Sequence, residues 1–151
     1  MEPINKYYQA DRNKANYLKA KELFNQNRIS ECVLYYSLNH IIKSDPREQG
    51  RKGIQTFFEE MHHTWTDLQI TVEHVVAEGN LVMGRSVASA TNPKISGVEA
   101  TDKKIVTTFW DLHLFDNEGL ITESWNLIDN VAIMKQLGLD KHNAKQSNSE
   151  I

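Results

Sequence analysis

Apolar residues in the first third of the chain recur at helical spacing. Tyr17, Ala20, Leu23 and Phe24 fall at i, i+3 and i+4 intervals, which predicts a helix over 12–27 with Asp11 near its start. A short second helix is expected over Ile29–Tyr35, then a short strand or extended segment, YSLNHII, at 36–42. SDPREQG reads as a loop from its Pro and Gly. In RKGIQTFFEEMHHTW (51–65), Ile54, Phe57, Phe58, Met61 and Trp65 gather on one side of a helix.

After Asp67 the period shortens to two. LQITVEHVVA (68–77), the turn EGN and LVMGRSVASAT (81–91) make a hairpin, and NPKISGVEATD is a loop. KIVTTFWDLHLF (104–115), the turn DNEG and LITESWNLID (120–129) make a second hairpin. NVAIMKQLG forms a closing helix that stops at Gly138, and Asp129 is well placed as its N-cap. Residues 140–151 are polar and are expected to be a disordered tail. Helices followed by hairpin-linked strands define an α+β domain with helices on one face of the sheet, spanning 1–139.

Strand parity narrows the chemistry. Phe109, Asp111, His113 and Phe115 share one face of the strand 104–115, opposite Trp110, Leu112 and Leu114. On 120–129, Ser124, Asn126 and Ile128 oppose Glu123, Trp125, Leu127 and Asp129. A solvated face has no need of two phenylalanines, and a dry core does not hold an unpaired Asp and His. An apolar cavity spotted with polar groups satisfies both, as does an Asp–His pair bridging strands. The apolar set Trp110, Leu112, Leu114 and Trp125 is too large to leave wet and points to a homodimer through the outer sheet face.

Composition removes other classes. At 151 residues a single core suffices without metal or disulfide, and a lone Cys32 indicates a reducing compartment. The net charge of −3, with scattered Lys and Arg, argues against nucleic acid; Arg51-Lys52 reads as a solvated helix face. No apolar run reaches membrane length, so a soluble, cytoplasmic protein is expected. Phosphate-loop, dinucleotide, zinc-protease and serine-elbow motifs are absent, and the adjacent His62-His63 point in different directions as surface histidines.

RKGIQTFFEEMHHTWTDLQITVEHVVAEGNLVMGR, FWDLHLFDNEGLITESWNLID and MKQLGL, in that order, resemble the SnoaL-like polyketide cyclase family. That family lies within the nuclear transport factor two-like superfamily, with ketosteroid isomerase and scytalone dehydratase. The resemblance, over about Asn13 to Leu139, implies a cone-shaped barrel of curved antiparallel sheet around helices, with a deep apolar pocket. It further implies cofactor-independent, metal-free aldol closure of a small apolar molecule by a pocket carboxylate acting with a histidine. Asp111 matches the acid position of ketosteroid isomerase-like members, and Asn39-His40 matches an early x-H. The acid of the family's E-x-W-D is here Asn126, its G-T-H reads Ala90-Thr91-Asn92, and its T-G-K reads Thr101-Asp102-Lys103.

The implied catalytic set is Asp111, His113 and His40; Asn126, Ser124, Phe109, Trp65 and Asn39 are placed on the substrate. A carboxyl between Phe109 and Phe115 would have a raised pKa. A cavity of about 300 Å³ or more with Asp111 and Asn126 converging would mark an enzyme. A filled cone would mark a non-catalytic binding or dimerisation module, the alternative that the departures favour.

Overall fold

A computed structural model describes residues 6–44, 49–91 and 104–139. Asn92, the 101–103 segment and the tail after 139 lie outside them. The elements run α1 (Lys6–Asn25), α2 (Ile29–Cys32), a 3₁₀ turn (Val33–Tyr35), β1 (Tyr36–Ile42), α3 (Gly50–Thr64), β2 (Thr66–Glu78) and β3 (Leu81–Thr91). β4 (Lys104–Phe115), β5 (Ile121–Ile128) and α4 (Asn130–Leu137) complete the chain. The α+β class follows as expected.

The five strands form one open sheet in the order β1-β5-β4-β3-β2. The expected antiparallel sheet is in fact mixed, because β1 pairs with β5 in parallel. Sequence periodicity defines strands but carries no information on which edge a distant strand joins. The sheet is strongly curved: α3 packs against both edge strands, β1 and β2. Register shifts in β2 between Val72 and His74 and in β1 between Tyr36 and Ile41 supply bends.

Helix α1 lies lengthwise in the concave face and is fixed at both ends by side-chain bonds to backbone. Asn25 exchanges two 2.8 Å bonds with the N–H and C=O of Ile70, as a paired strand residue would. At the other end Arg12 donates to the Asn117 carbonyl at 3.0 Å and Asn16 to that of Gly119 at 2.9 Å. Asp11, expected near the helix start, stands inside α1 (Lys6–Asn25). The buried stripe is Tyr17, Ala20, Leu23 and Phe24, as the spacing predicts.

Two smaller elements follow from local chemistry. Asp129 caps α4 by accepting the Ala132 N–H at 2.9 Å, and Gly138 ends it at φ 74°, a conformation costly for other residues. β5 ends opposite Phe109, which leaves Val106 with no partner on that side of β4. The Gln136 side chain replaces it, accepting the Val106 N–H at 2.8 Å and donating to its carbonyl at 2.7 Å.

Gly84 controls how closely α1 approaches the sheet. It pairs with Asp111 across β3–β4, and a Cβ there would overlap the Tyr17 hydroxyl and stand 2.9 Å from Asp111 Oδ1. Gly84→Ala is therefore expected to push Tyr17 off Asp111 and to cost about 1–3 kcal/mol, the usual penalty of overpacking. Urea unfolding monitored by circular dichroism measures it, and an unchanged midpoint would mean that α1 can shift freely.

Candidate active site

The inward parity of β4 and β5 is realised. Phe109, Asp111 and His113 are buried on the concave face, as is Ser124, while Trp110 and Leu127 are exposed on the convex one. Strand registry places His113 directly beside Ser124 and Asp111 beside Asn126. On β1, the residue that shares the inward face is His40, fully buried.

Asp111 is the most heavily bonded group. Its Oδ1 accepts from the Tyr17 hydroxyl at 2.7 Å, and its Oδ2 accepts from Lys21 Nζ at 2.5 Å. The His113 Nε2 lies 3.2 Å from the same Oδ2. Burial alone would raise the carboxyl pKa, but the Lys21 ammonium and the His113 hydrogen bond outweigh it and hold the pKa well below the usual range. This is the reverse of the raised pKa expected between two phenylalanines. The reason is the neighbouring helix, whose cation strand parity cannot reveal.

Lys21 itself is desolvated, which opposes its charge, yet the Asp111 carboxylate keeps it protonated with a raised pKa. Tyr17 is pushed up to about 12, first by burial and then by the Asp111 charge, so it remains a neutral donor. The Lys21 ammonium also lies 5.1 Å and 5.2 Å from the ring centres of Tyr17 and Phe109.

Beyond Asp111 the polar groups form a row. His113 Nδ1 is 2.6 Å from Ser124 Oγ, and Ser124 Oγ is 2.7 Å from His40 Nε2. Burial, and then the neighbouring His113, lower the His40 pKa to about 4, so the ring is neutral at pH 7. Among the described residues its buried Nδ1 has no hydrogen-bond partner. Proton counting then sets the direction of the row. The ionised Asp111 can only accept, so His113 Nε2 donates to it and Nδ1 is left to accept from Ser124. The Ser124 hydroxyl donates there and accepts from His40 Nε2–H. The opposite His40 tautomer would leave a buried N–H unsatisfied and Ser124 unable to serve both rings.

A cavity of about 150 Å³ opens beside this row. Phe24, Ile54, Phe57, Phe58, Met61 and Phe109 give it an apolar wall, and Lys21, His113, Ser124 and Asn126 a polar one. It is smaller than the roughly 300 Å³ at which small-ligand sites usually begin, and close to a volume that accepts a benzene-sized molecule. Asn126 and Asp111 do not converge on it: Asn126 sits exposed at the mouth, and Asp111 lies behind His113 and Lys21, outside the lining.

Of the other sequence-derived residues, Ser124 and Phe109 line the cavity, while His40 stands one bond behind Ser124. Trp65 is half-buried against the core, away from the lining. Asn39 is exposed, because adjacent strand residues face opposite ways and His40 takes the inner face. Lys21 and Tyr17 are the site residues that sequence reasoning missed. A lysine four residues after Tyr17, beside Ala20 and Phe24 on an otherwise apolar stripe, is the signal that could have found them. His62 does not behave as a surface residue: its Nε2 bonds the Phe24 carbonyl at 2.8 Å, whereas His63 is exposed. Arg51 likewise donates to the Tyr36 carbonyl at 2.9 Å instead of facing solvent. Among the described residues no group of three His, Cys, Asp or Glu side chains is arranged to hold a metal. No described helix is long and apolar enough to cross a membrane.

The family model for SnoaL-like polyketide cyclases matches residues 14–137, and the chain belongs to that family. Solved structures support the fold. AclR from Streptomyces galilaeus is similar at 24% identity and a TM-score of 0.75, over 86% of this chain and 97% of its own. A SnoaL-like polyketide cyclase from Agrobacterium tumefaciens is similar at 20% identity and a TM-score of 0.70, over 81% and 94%. TsrD from Streptomyces laurentii is similar at 21% identity and a TM-score of 0.70, over 83% and 96%. No curated protein matches the chain.

The neutral burial of His40 has a measurable pH signature. Its folded pKa of about 4 lies below the roughly 6.5 of an unfolded histidine, so the unfolded state binds the extra proton between these values. Its contribution is complete above about pH 6.5 and is lost as pH falls through 4, up to about 3 kcal/mol in all. Urea midpoints between pH 7 and 4.5 should fall for the wild type and much less for His40→Gln. Equal slopes would remove His40 as the source.

Proposed function

We propose that the protein is an enzyme of the cyclase, isomerase or dehydratase type that acts on a small apolar carbonyl compound by acid/base chemistry without a cofactor. The observation that carries this reading is the buried row Lys21–Asp111–His113–Ser124–His40, of which Lys21, His113 and Ser124 reach the wall of a largely apolar cavity. His113 is the proton-transfer residue. The Ser124 hydroxyl proton passes to its Nδ1 while Ser124 Oγ takes the proton from the substrate carbon. The fixed Asp111 charge stabilises the imidazolium that results.

Lys21 supplies the electrophile. Lys21 is on the same wall, and its ammonium has donors beyond the one used by Asp111 with which to hold an enolate oxygen. Asn126 offers an amide donor at the mouth. Asp111 acts as a permanent anion and not as the group that exchanges the proton.

The test is deuterium uptake at the α-carbon of small cyclic and aryl ketones in heavy water, with mass spectrometry of any compound that co-purifies. His113→Gln should slow exchange by roughly 10²-fold or more, the usual worth of a positioned acid/base. Exchange no faster than in buffer for the wild-type protein would sink the catalytic reading. A binding-only module is favoured by the 150 Å³ volume and by Asn126 at the family's acid position. Retained ligand binding without exchange is the result that would select it.

The same reading includes a homodimer formed through the convex sheet face. Val76, Met83, Leu112 and Trp125 are successive cross-strand partners, with the pair Trp110 and Leu127 alongside. Leu127 is 71% and Val76 65% exposed, Met83 and Trp110 are exposed as well, and Leu112 and Trp125 are partly so. A second copy of the face would cover them. Met83→Glu combined with Leu127→Glu should convert the dimer to monomer in sedimentation experiments; a monomeric wild type refutes the assignment.

A further inference from the structure

The geometry points to a second chemistry at the same wall: we infer that Ser124 is a nucleophile that accepts an acyl group from small apolar carboxylic esters. Three observations carry it, and none depends on carbonyl isomerisation. Ser124 is one of the residues that line the cavity. Its proton is directed at His113 Nδ1, 2.6 Å away, and His113 Nε2 is oriented by Asp111 at 3.2 Å. His40 Nε2–H, at 2.7 Å, occupies one lone pair of Ser124 and holds the hydroxyl rotor, leaving a second lone pair for attack.

This is the arrangement of a hydroxyl, a base and an orienting carboxylate that activates a serine, with the two ring nitrogens exchanged relative to the usual order. The exchange follows from the strands. Ser124 and His113 are direct cross-strand neighbours on β5 and β4, while Asp111 is two residues along β4 on the same face. The nearer nitrogen therefore meets the serine and the farther one meets the carboxylate.

The step balances with water as the second reactant. Ser124 Oγ bonds to the ester carbonyl carbon as its proton moves to His113 Nδ1. The tetrahedral oxyanion forms beside the Lys21 ammonium on the cavity wall. Collapse breaks the acyl–oxygen bond, and the leaving alkoxide takes the proton from His113. Water then attacks the acyl-serine with His113 as base, which releases the carboxylic acid and restores the hydroxyl. A cavity of about 150 Å³ selects acetyl to butyryl or single-ring acyl groups.

The probes are p-nitrophenyl acetate and p-nitrophenyl butyrate, with nitrophenolate release followed by absorbance and the acid-quenched protein mapped by peptide mass spectrometry. One acyl group per chain on Ser124 is expected, with an initial burst of nitrophenolate. Ser124→Ala should abolish the adduct and the burst, and Ser124→Cys should restore acylation as a thioester. Circular dichroism of each variant separates loss of chemistry from loss of fold. An unacylated wild type, an adduct on lysine alone, or equal acylation of folded Ser124→Ala would each overturn the assignment. Ketone exchange and acylation are read separately, so failure of one does not decide the other.

Discussion

The buried contact between Lys21 and Asp111 organises this molecule. A carboxylate fully withdrawn from water is tolerable only if it is neutralised and its lone pairs are filled, and helix α1 supplies both a cation and a hydroxyl for that purpose. The requirement fixes the rotation of α1 about its axis, because Tyr17 and Lys21 must point to the same strand residue. It also fixes the depth of the helix in the sheet, which is why the strand position facing Asp111 carries no side chain. Removing either partner would leave a buried charge uncompensated, so the pair is conditional on the fold as much as the fold is on the pair.

The ionised state of Asp111 also dictates proton positions across three more residues. A neutral carboxylic acid could donate to His113 and reverse the row; a carboxylate cannot. The electrostatics of one helix therefore determine which lone pair of a serine on the neighbouring strand β5 is available for chemistry. In this sense α1 belongs to the site as much as the strands that carry His113 and Ser124 do.

Much of this was legible in the sequence. Alternation in KIVTTFWDLHLF placed Asp111, His113 and Phe109 on one face because a strand has a strict period of two, and Asp129 and Gly138 announced the bounds of α4 by their capping chemistry. Family resemblance added the fold and drew attention to His40. What failed is what local pattern does not encode. The parallel edge position of β1 and the pairing of Asp111 with Lys21 both depend on contacts between segments far apart in the chain. Trp65 was misplaced for a related reason: it ends the α3 stripe as its C-cap, where the backbone has already turned extended.

The parallel joining of β1 to β5 carries a kinetic consequence. Strands β2 to β5 follow one another as antiparallel neighbours in the sheet, whereas the His40–Ser124 bond spans 84 positions and the Lys21–Asp111 bond 90. Closing such long loops carries an entropic cost that short hairpins avoid. The meander aligns Ser124, His113 and Asp111 through hairpin neighbours, whereas the cation and the second histidine reach them from the N-terminal segment through long-range contacts. Without the N-terminal segment the meander holds Ser124, His113 and Asp111 but neither the counter-charge of Lys21 nor the rings of Phe24, Phe57 and Phe58 that wall the cavity.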